Sequence, residues 1–232
     1  MDGILIVDKE KGWTSHDVCA FIRSRFGIRK VGHGGTLDPS ATGVLVVLLG
    51  RATKLFDSVA ACDKHYLGTL QLGLMTDSYD KDGRVIAESD WRFVTPEKLK
   101  AAFELFRGQI EQKPPMVSAL KHKGVRLYKL ARQGKSVERE KRVVTIYQLE
   151  VKSIRFPEVD FTAHVSRGTY LRTLVHDIGE KLGCYGILTE LRRLQCGDFS
   201  LEDAVSIPAL KQMTPRELGR YVRMSSAALM AT

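Results

Sequence analysis

Residues 32–43 read Gly-His-Gly-Gly-Thr-Leu-Asp-Pro-Ser-Ala-Thr-Gly, and Val44-Leu45-Val46-Val47-Leu48-Leu49 follows at once. Glycine admits backbone conformations and close approaches that a side chain forbids, and proline fixes its own φ. With four glycines and one proline in twelve residues, the first segment buries little apolar surface and has little use as core. It is a shaped loop that presents Asp38, with His33 beside it, to something else. The six apolar residues after it have the length of a buried strand. A carboxylate is thus carried on a loop that feeds a rigid core element.

The 232 residues suit one large domain with room for a small appendage. An apolar fraction of 44% suffices for a core. No apolar stretch approaches the roughly 20 residues that span a bilayer, and Met1-Asp2-Gly3-Ile4 opens on a strand-like run without a leader pattern. A cytoplasmic location and no membrane partner are therefore expected. Cys19, Cys62, Cys184 and Cys196 are scattered without a C-x-x-C pair, which points to reduced thiols rather than a disulfide framework or a zinc site. The net charge of +9 is localised: ten Lys or Arg and two Glu lie between Lys113 and Arg142. Clustered cations release condensed counterions when they meet phosphates. Lys121, Lys123, Arg126, Lys129 and Arg132 are accordingly candidate RNA contacts, although a solvated charged face has the same composition.

Local patterns predict interspersed strands and helices. Ile4–Val7 reads as a strand, and Thr14 with Asp17 has capping-box spacing before a helix that Gly27 closes. Tyr66, Leu70 and Leu72 fall on one face of an alternating strand. Thr95 caps a helix with Pro96 at its first position, an apolar stripe of Leu99, Ala102, Phe103 and Phe106, and an end at Gly108. The basic segment has Leu127, Leu130 and Ala131 at helical spacing. Residues 143–156 and 159–165 read as two strands joined through Pro157-Glu158, and Leu171, Leu174, Val175, Ile178 and Leu182 mark an amphipathic helix. Regular β-α-β alternation is missing, so an α+β domain with a mixed, largely antiparallel sheet flanked by helices is expected. The stretch from about Lys211 to Thr232 reads as a terminal helix or loose tail.

The run at 32–43 resembles the catalytic motif of the TruB family of tRNA pseudouridine synthases, roughly G-H-x-G-x-L-D-P-x-A-T-G, with Gly34 where threonine is more usual. Other segments resemble the same family in order. They are Val7-Asp8-Lys9 with Gly12-Trp13-Thr14-Ser15, Asp63-Lys64-His65-Tyr66, and Pro114-Pro115 followed by Ser118-Ala119-Leu120-Lys121. Further on come Ser166-Arg167-Gly168-Thr169-Tyr170-Leu171-Arg172-Thr173-Leu174 and Leu191-Arg192-Arg193-Leu194. The resemblance implies the pseudouridine synthase fold over residues 1–210, with the basic RNA-facing segment at about 113–142 and a short tail at 211–232. Many relatives carry a small C-terminal PUA-type RNA-binding domain. About 25 residues after the last matching segment are too few for a complete one, which leaves more of the affinity to the basic segment.

What the resemblance implies for chemistry is specific. The enzyme converts the uridine at position 55 of the tRNA T-loop to pseudouridine, breaking the N1–C1′ bond, turning the uracil and rejoining it through C5. No cofactor or metal is required, the partner is tRNA, and the expected state is a monomer. Asp38 matches the catalytic aspartate, which either attacks C1′ or removes the C2′ proton. Arg172 matches the arginine that would pair with that anion, since a buried anion is costly unless paired. Tyr66 stacks on the uracil and offers a base for the C5 proton. Tyr170 and Leu191 contact the base, and His33 props the extruded conformation in the RNA. Extrusion costs a few kcal/mol, least outside a regular duplex.

Each residue has a plainer reading. An isolated Asp-Pro is a turn former, Tyr66 a core aromatic, Arg172 a helix-surface cation, His33 a loop stabiliser, and Tyr170 and Leu191 core residues. At the level of function, the alternative is a non-catalytic RNA-binding or tRNA-folding module. That module shares the basic segment but has no need of Asp38 and Arg172. A phosphodiesterase with His33 and Asp38 as metal ligands fits less well, because no further His or Asp cluster has ligand-like spacing. Glycine at 34 is expected to alter how firmly His33 is held more than whether Asp38 reacts.

Overall fold

The computed structural model describes residues 1–118, 120–122, 124–135 and 137–223. Its first strands are β1 (Gly3–Lys9), β2 (Val31–His33), β3 (Thr42–Leu49), β4 (Lys64–Leu72), β5 (Leu74–Thr76), β6 (Val85–Glu88) and β7 (Gly108–Gln112). Then follow β8 (Lys121–His122), β9 (Val125–Arg126), β10 (Arg142–Arg155), β11 (Glu158–Val165), β12 (Gly186–Cys196), β13 (Phe199–Ser200) and β14 (Val205–Ser206). The α-helices are α1 (Ser15–Phe26), α2 (Phe56–Ala61), α3 (Pro96–Glu104), α4 (Leu127–Arg132), α5 (Leu171–Leu182), α6 (Ile207–Gln212) and α7 (Pro215–Leu218). The chain forms two compact units, Met1–Leu67 with the chain from Leu191 onward, and Gly68–Glu190; the division falls within β4 and β12.

In the first unit β1 and β3 pair antiparallel along their whole length, from Gly3↔Leu49 to Lys9↔Gly43. β14 joins β1 and β12 joins β3, both in parallel, while β2 lies antiparallel on the end of β3. The expected apolar run is therefore a central strand, and Ile4, Ile6, Val44, Val46 and Leu48 form a core with Ala52, Val59 and Cys196. The capping box of Thr14 and Asp17 is present at α1, and Gly27 ends that helix in the left-handed conformation at φ 63°. Two close approaches explain glycines in the opening motif. A Cβ at Gly43, whose φ is 99°, would lie 2.1 Å from the Arg193 carbonyl oxygen, so only glycine lets β12 approach β3 there. A Cβ at Gly34 would lie 2.2 Å from Val59 Cγ1. The off-pattern glycine is thus matched to a valine on α2. Gly34→Thr is expected to cost about 2 kcal/mol by overpacking, and Val59→Ala in the same chain to recover most of it. Urea melts of the two single variants and the double check this; simple additivity rules it out.

Residues 211–223 carry defined structure. Thr214 and Glu217 cap α7, Leu218 is buried, and Arg223 exchanges backbone hydrogen bonds with Ile4 at 2.8 and 2.9 Å. Residues 224–232 lie outside the described part.

The second unit contains the antiparallel ladder β11-β10-β7, with β10 as a fourteen-residue strand. Its core comes from alternating positions such as Val144, Ile146 and Leu149 on β10 and Val159, Phe161, Ala163 and Val165 on β11, with Leu99, Ala102 and Phe103 of α3. Helix α3 ends at Glu104 rather than at Gly108. Leu105, Phe106 and Arg107 continue it as i→i+3 turns, and Gly108 at φ 86° begins β7. The β5–β6 hairpin was not legible, because Gly73 and the turn around Asp77–Gly83 break the alternation. Pairing throughout is mixed and largely antiparallel, as expected. All four cysteines are free thiols. Among the described residues no helix is long and apolar enough to cross a membrane.

Candidate active site

The loop between β2 and β3 is held by its backbone at nearly every residue around Asp38. Gly34 N donates to Val46 O at 2.9 Å. Arg193 donates to the carbonyls of Gly35 and Thr36 at 3.2 and 3.5 Å. Ser15 Oγ, fully buried at the start of α1, both accepts from Leu37 N at 2.9 Å and donates to Leu37 O at 3.1 Å. Pro39 O accepts from Gly12 N at 2.8 Å and from Lys9 Nζ at 3.3 Å, and Asp38 O closes a turn with Ala41 N. None of these contacts uses the Asp38 carboxylate. That side chain is half-exposed at the point where the loop is most firmly held.

Two buried cations accompany it. Lys9 is fully buried at the end of β1 and donates to the carbonyls of Glu10, Trp13 and Pro39. Burial pulls its pKa down to about 8, against the opposing charge of Asp38 and with a further push from Arg193. Arg193 is 1% exposed on β12, and its Nε donates to Val44 O at 2.6 Å. Tyr66, buried on β4, has its phenol pushed up by burial, while the charge of Arg193 works the other way. Neighbouring Arg192 instead pairs with Asp8 at 2.7 Å. His33 ends β2 opposite Val47 rather than sitting in the loop, because the edge pairing with β3 runs one residue further than the glycines suggest. Leu191 lies half-buried at the start of this unit's part of β12.

The second unit carries Arg172 and Tyr170. Arg172 lies in the first turn of α5, where the helix dipole disfavours a cation. It is nevertheless buried, and Asp80 Oδ2 lies 3.3 Å from Nη1 while the carbonyls of Ser78 and Val117 accept at 3.0 and 2.8 Å. Asp80 is itself oriented: Ser78 Oγ donates to it at 2.5 Å and Asp82 N at 3.1 Å. Tyr170 is placed by its backbone, through Gln112, whose side-chain amide accepts from Tyr170 N at 2.7 Å and donates to Tyr170 O at 3.1 Å. Gln112 is buried and makes this bidentate grip from β7.

The first unit thus brings together Asp38 and Tyr66 with Lys9 and Arg193, two residues that sequence reasoning quoted without assigning them work. Lys9 extends an apolar strand that the sequence reading ended at Val7, and that continuation is the signal that could have marked it as buried. Arg193 had no such signal. Asp80 was likewise missed, within a Ser-x-Asp-x-Asp-Gly turn that reads as ordinary loop. Of the basic candidates, Lys123 lies outside the described residues. The backbones of Lys121, Arg126, Lys129 and Arg132 fall in β8, β9 and α4, and their side chains are outside the described part. Metal-type donors that gather among the described residues are His176, Asp177 and Glu180, not His33 with Asp38.

Lys9 gives a pH prediction. Its folded pKa of about 8 lies below the usual 10.5, so between these values the unfolded chain binds more protons and stability rises with pH. Relative to Lys9→Met, the parent is expected to gain up to on the order of 3 kcal/mol from pH 8 to 10.5. Denaturant melts of both across that window check it; a constant difference counts against it.

Two family models cover most of the chain. The N-terminal domain model of the TruB family pseudouridylate synthases matches residues 23–171, and the tRNA pseudouridylate synthase B C-terminal domain model matches residues 172–224. The class this defines is a pseudouridylate synthase. A relative named tRNA pseudouridine synthase B from Geobacter sulfurreducens is 50% identical over 213 residues, covering 92% of this chain and 70% of that protein. Another so named, from Opitutus terrae, is 42% identical over 94% of this chain and 90% of its own length. A chain in a crystal structure of a Cbf5-Nop10-Gar1 complex matches with a TM-score of 0.70 and 32% identity over 89% of this chain, which spans about half (52%) of that one. The chain belongs to the TruB family.

Proposed function

We propose that the chain isomerises uridine 55 in the T-loop of tRNA to pseudouridine, without a cofactor. The observation that carries this reading is the backbone clamping of the loop around Asp38, which fixes where a half-exposed carboxylate is presented. Relatives named tRNA pseudouridine synthase B support the substrate class. In this reading Asp38 acts on the sugar, by attack at C1′ or by taking the C2′ proton, as the N1–C1′ bond breaks. Arg172 supplies the counter-charge. Tyr66 stacks on the freed uracil and takes the C5 proton after C5 has joined C1′. Tyr170 and Leu191 bracket the base, and His33 props the gap left by the flipped nucleotide. The basic residues Lys121, Lys123, Arg126, Lys129 and Arg132 contact the RNA backbone. The reading includes a monomer working in the cytoplasm.

The test is tritium release from unmodified tRNA that carries C5-tritiated uridine. Release is expected from the parent substrate and not when uridine 55 is replaced by cytidine. Tight binding without release would favour the RNA-binding or tRNA-folding module instead.

A further inference from the structure

We infer that Tyr79 and His176 are positioning residues for Arg172: their stacked rings dock the Ser78–Asp80 loop onto α5, and that loop grips the guanidinium. All of these residues lie in the second unit. The consequence for turnover rests on the proposed reaction, in which Arg172 is the counter-charge. Arg172 and His176 are four residues apart on α5, so they lie one above the other on the same face. The Tyr79 ring lies nearly parallel to the imidazole, with centroids 3.9 Å apart and 10° between the planes. On either side of that tyrosine, Ser78 O accepts from Arg172 Nη1 at 3.0 Å and Asp80 Oδ2 faces the same nitrogen at 3.3 Å. Leu188 N donates to Tyr79 O at 3.0 Å, Lys81 N to Leu188 O at 3.1 Å, and Thr76 Oγ1 to Asp80 O at 2.7 Å. Those bonds tie the loop to β12 and to itself, and the stack ties it to the helix that carries Arg172.

Both partners are held at a cost that the stack accounts for. Tyr79 has φ 64°, a left-handed conformation that is an outlier for a bulky residue and that glycine adopts freely. Such strain persists only where the surroundings over-determine it. The turn brings a carbonyl and a carboxylate two residues apart onto one guanidinium while the ring between them faces His176. His176 is buried, and among the described residues its Nδ1 has no hydrogen-bond partner, an unfavourable state for a buried polar atom. Its Nε2 lies 3.5 Å from the exposed Glu180 carboxylate, which is a loose contact. Burial pushes the imidazole pKa down, against the charge of Glu180, so the ring stacks uncharged. The face of His176 is therefore its well-made contact, and that face meets Tyr79.

Tyr79→Gly removes the ring and relieves the backbone at once. Its single-turnover rate on tRNA is expected to fall roughly 10-fold, with tRNA affinity within about twofold of the parent's. Tyr79→Phe retains the ring and should return the rate to within about twofold of the parent. Because the stack works through the loop's hold on Arg172, the glycine change should cost less than about threefold when added to Asp80→Asn. The same loss in both backgrounds, or no loss in either, overturns the inference. A second measurement needs no substrate. The Arg172 side-chain N–H signals, assigned by their disappearance in Arg172→Lys, should exchange with solvent at least about tenfold faster in Tyr79→Gly than in the parent. Unchanged exchange overturns the inference. If Tyr79→Gly does not fold, His176→Leu, which removes the stack from the helix side, takes its place in both measurements with the same expected outcomes. Failure of the proposed function itself reads differently, as a parent enzyme inactive on uridine 55, and the exchange measurement then still decides whether the stack holds Arg172.

Discussion

Asp38→Asn is expected to abolish tritium release from tRNA, by at least about 10⁴-fold, because the amide neither attacks C1′ nor accepts a proton. The same variant should remain folded, losing only about 1 kcal/mol as its charge is removed from beside the buried Lys9. The reason is that the loop is held through Gly35, Thr36, Leu37 and Pro39, by Arg193, Ser15, Lys9 and Gly12, and asparagine keeps the shape of the side chain between them. tRNA affinity should likewise stay within a few-fold. Single-turnover kinetics, melts and filter binding on the two proteins separate these effects. Substantial residual turnover by the asparagine variant would remove Asp38 from the chemistry. A collapse of stability would instead return it to the role of a turn former.

Asp80→Ala is expected to have the second-largest effect, and on two readouts. It takes a carboxylate from a guanidinium that is 4% exposed and sits at the wrong end of a helix dipole. Removing one partner of a buried ion pair costs about 3 kcal/mol. Because Arg172 is then free to shift, turnover should fall on the order of 10²-fold. Asp80→Asn keeps the shape that Ser78 Oγ and Asp82 N hold. It should recover a larger share of the stability than of the rate, since the charge that orients Arg172 is still missing. Urea melts beside single-turnover rates check this. Full activity in the alanine variant would show that the carbonyls of Ser78 and Val117 suffice to hold Arg172.

Much of the fold was legible because its signals are local. The capping box of α1, the alternation of β4 and the period of α5 depend on neighbours a few residues away. Boundaries failed where tertiary pairing intervened: His33 joined β2 because β3 offered it an edge, and α3 stopped short of Gly108 as its last turn tightened. The short β5–β6 hairpin was missed because its strands are three and four residues long.

For the site, the sequence alone determined that a carboxylate at position 38 rides on a glycine-rich loop ahead of a core strand. It also identified, through family resemblance, Tyr66 and Arg172 as the residues to watch. Covalent spacing and turn chemistry suffice for that. What only the tertiary structure decided is which groups grip that machinery. Arg193 lies more than 150 residues from Gly35 and Thr36, whose carbonyls it holds, and Asp80 more than 90 from Arg172. Buried charges find partners through strand pairing and desolvation, and neither leaves a periodic trace along the chain. Gly34 shows the same division: its identity is written in the sequence, but its reason is Val59, 2.2 Å from where a side chain would begin.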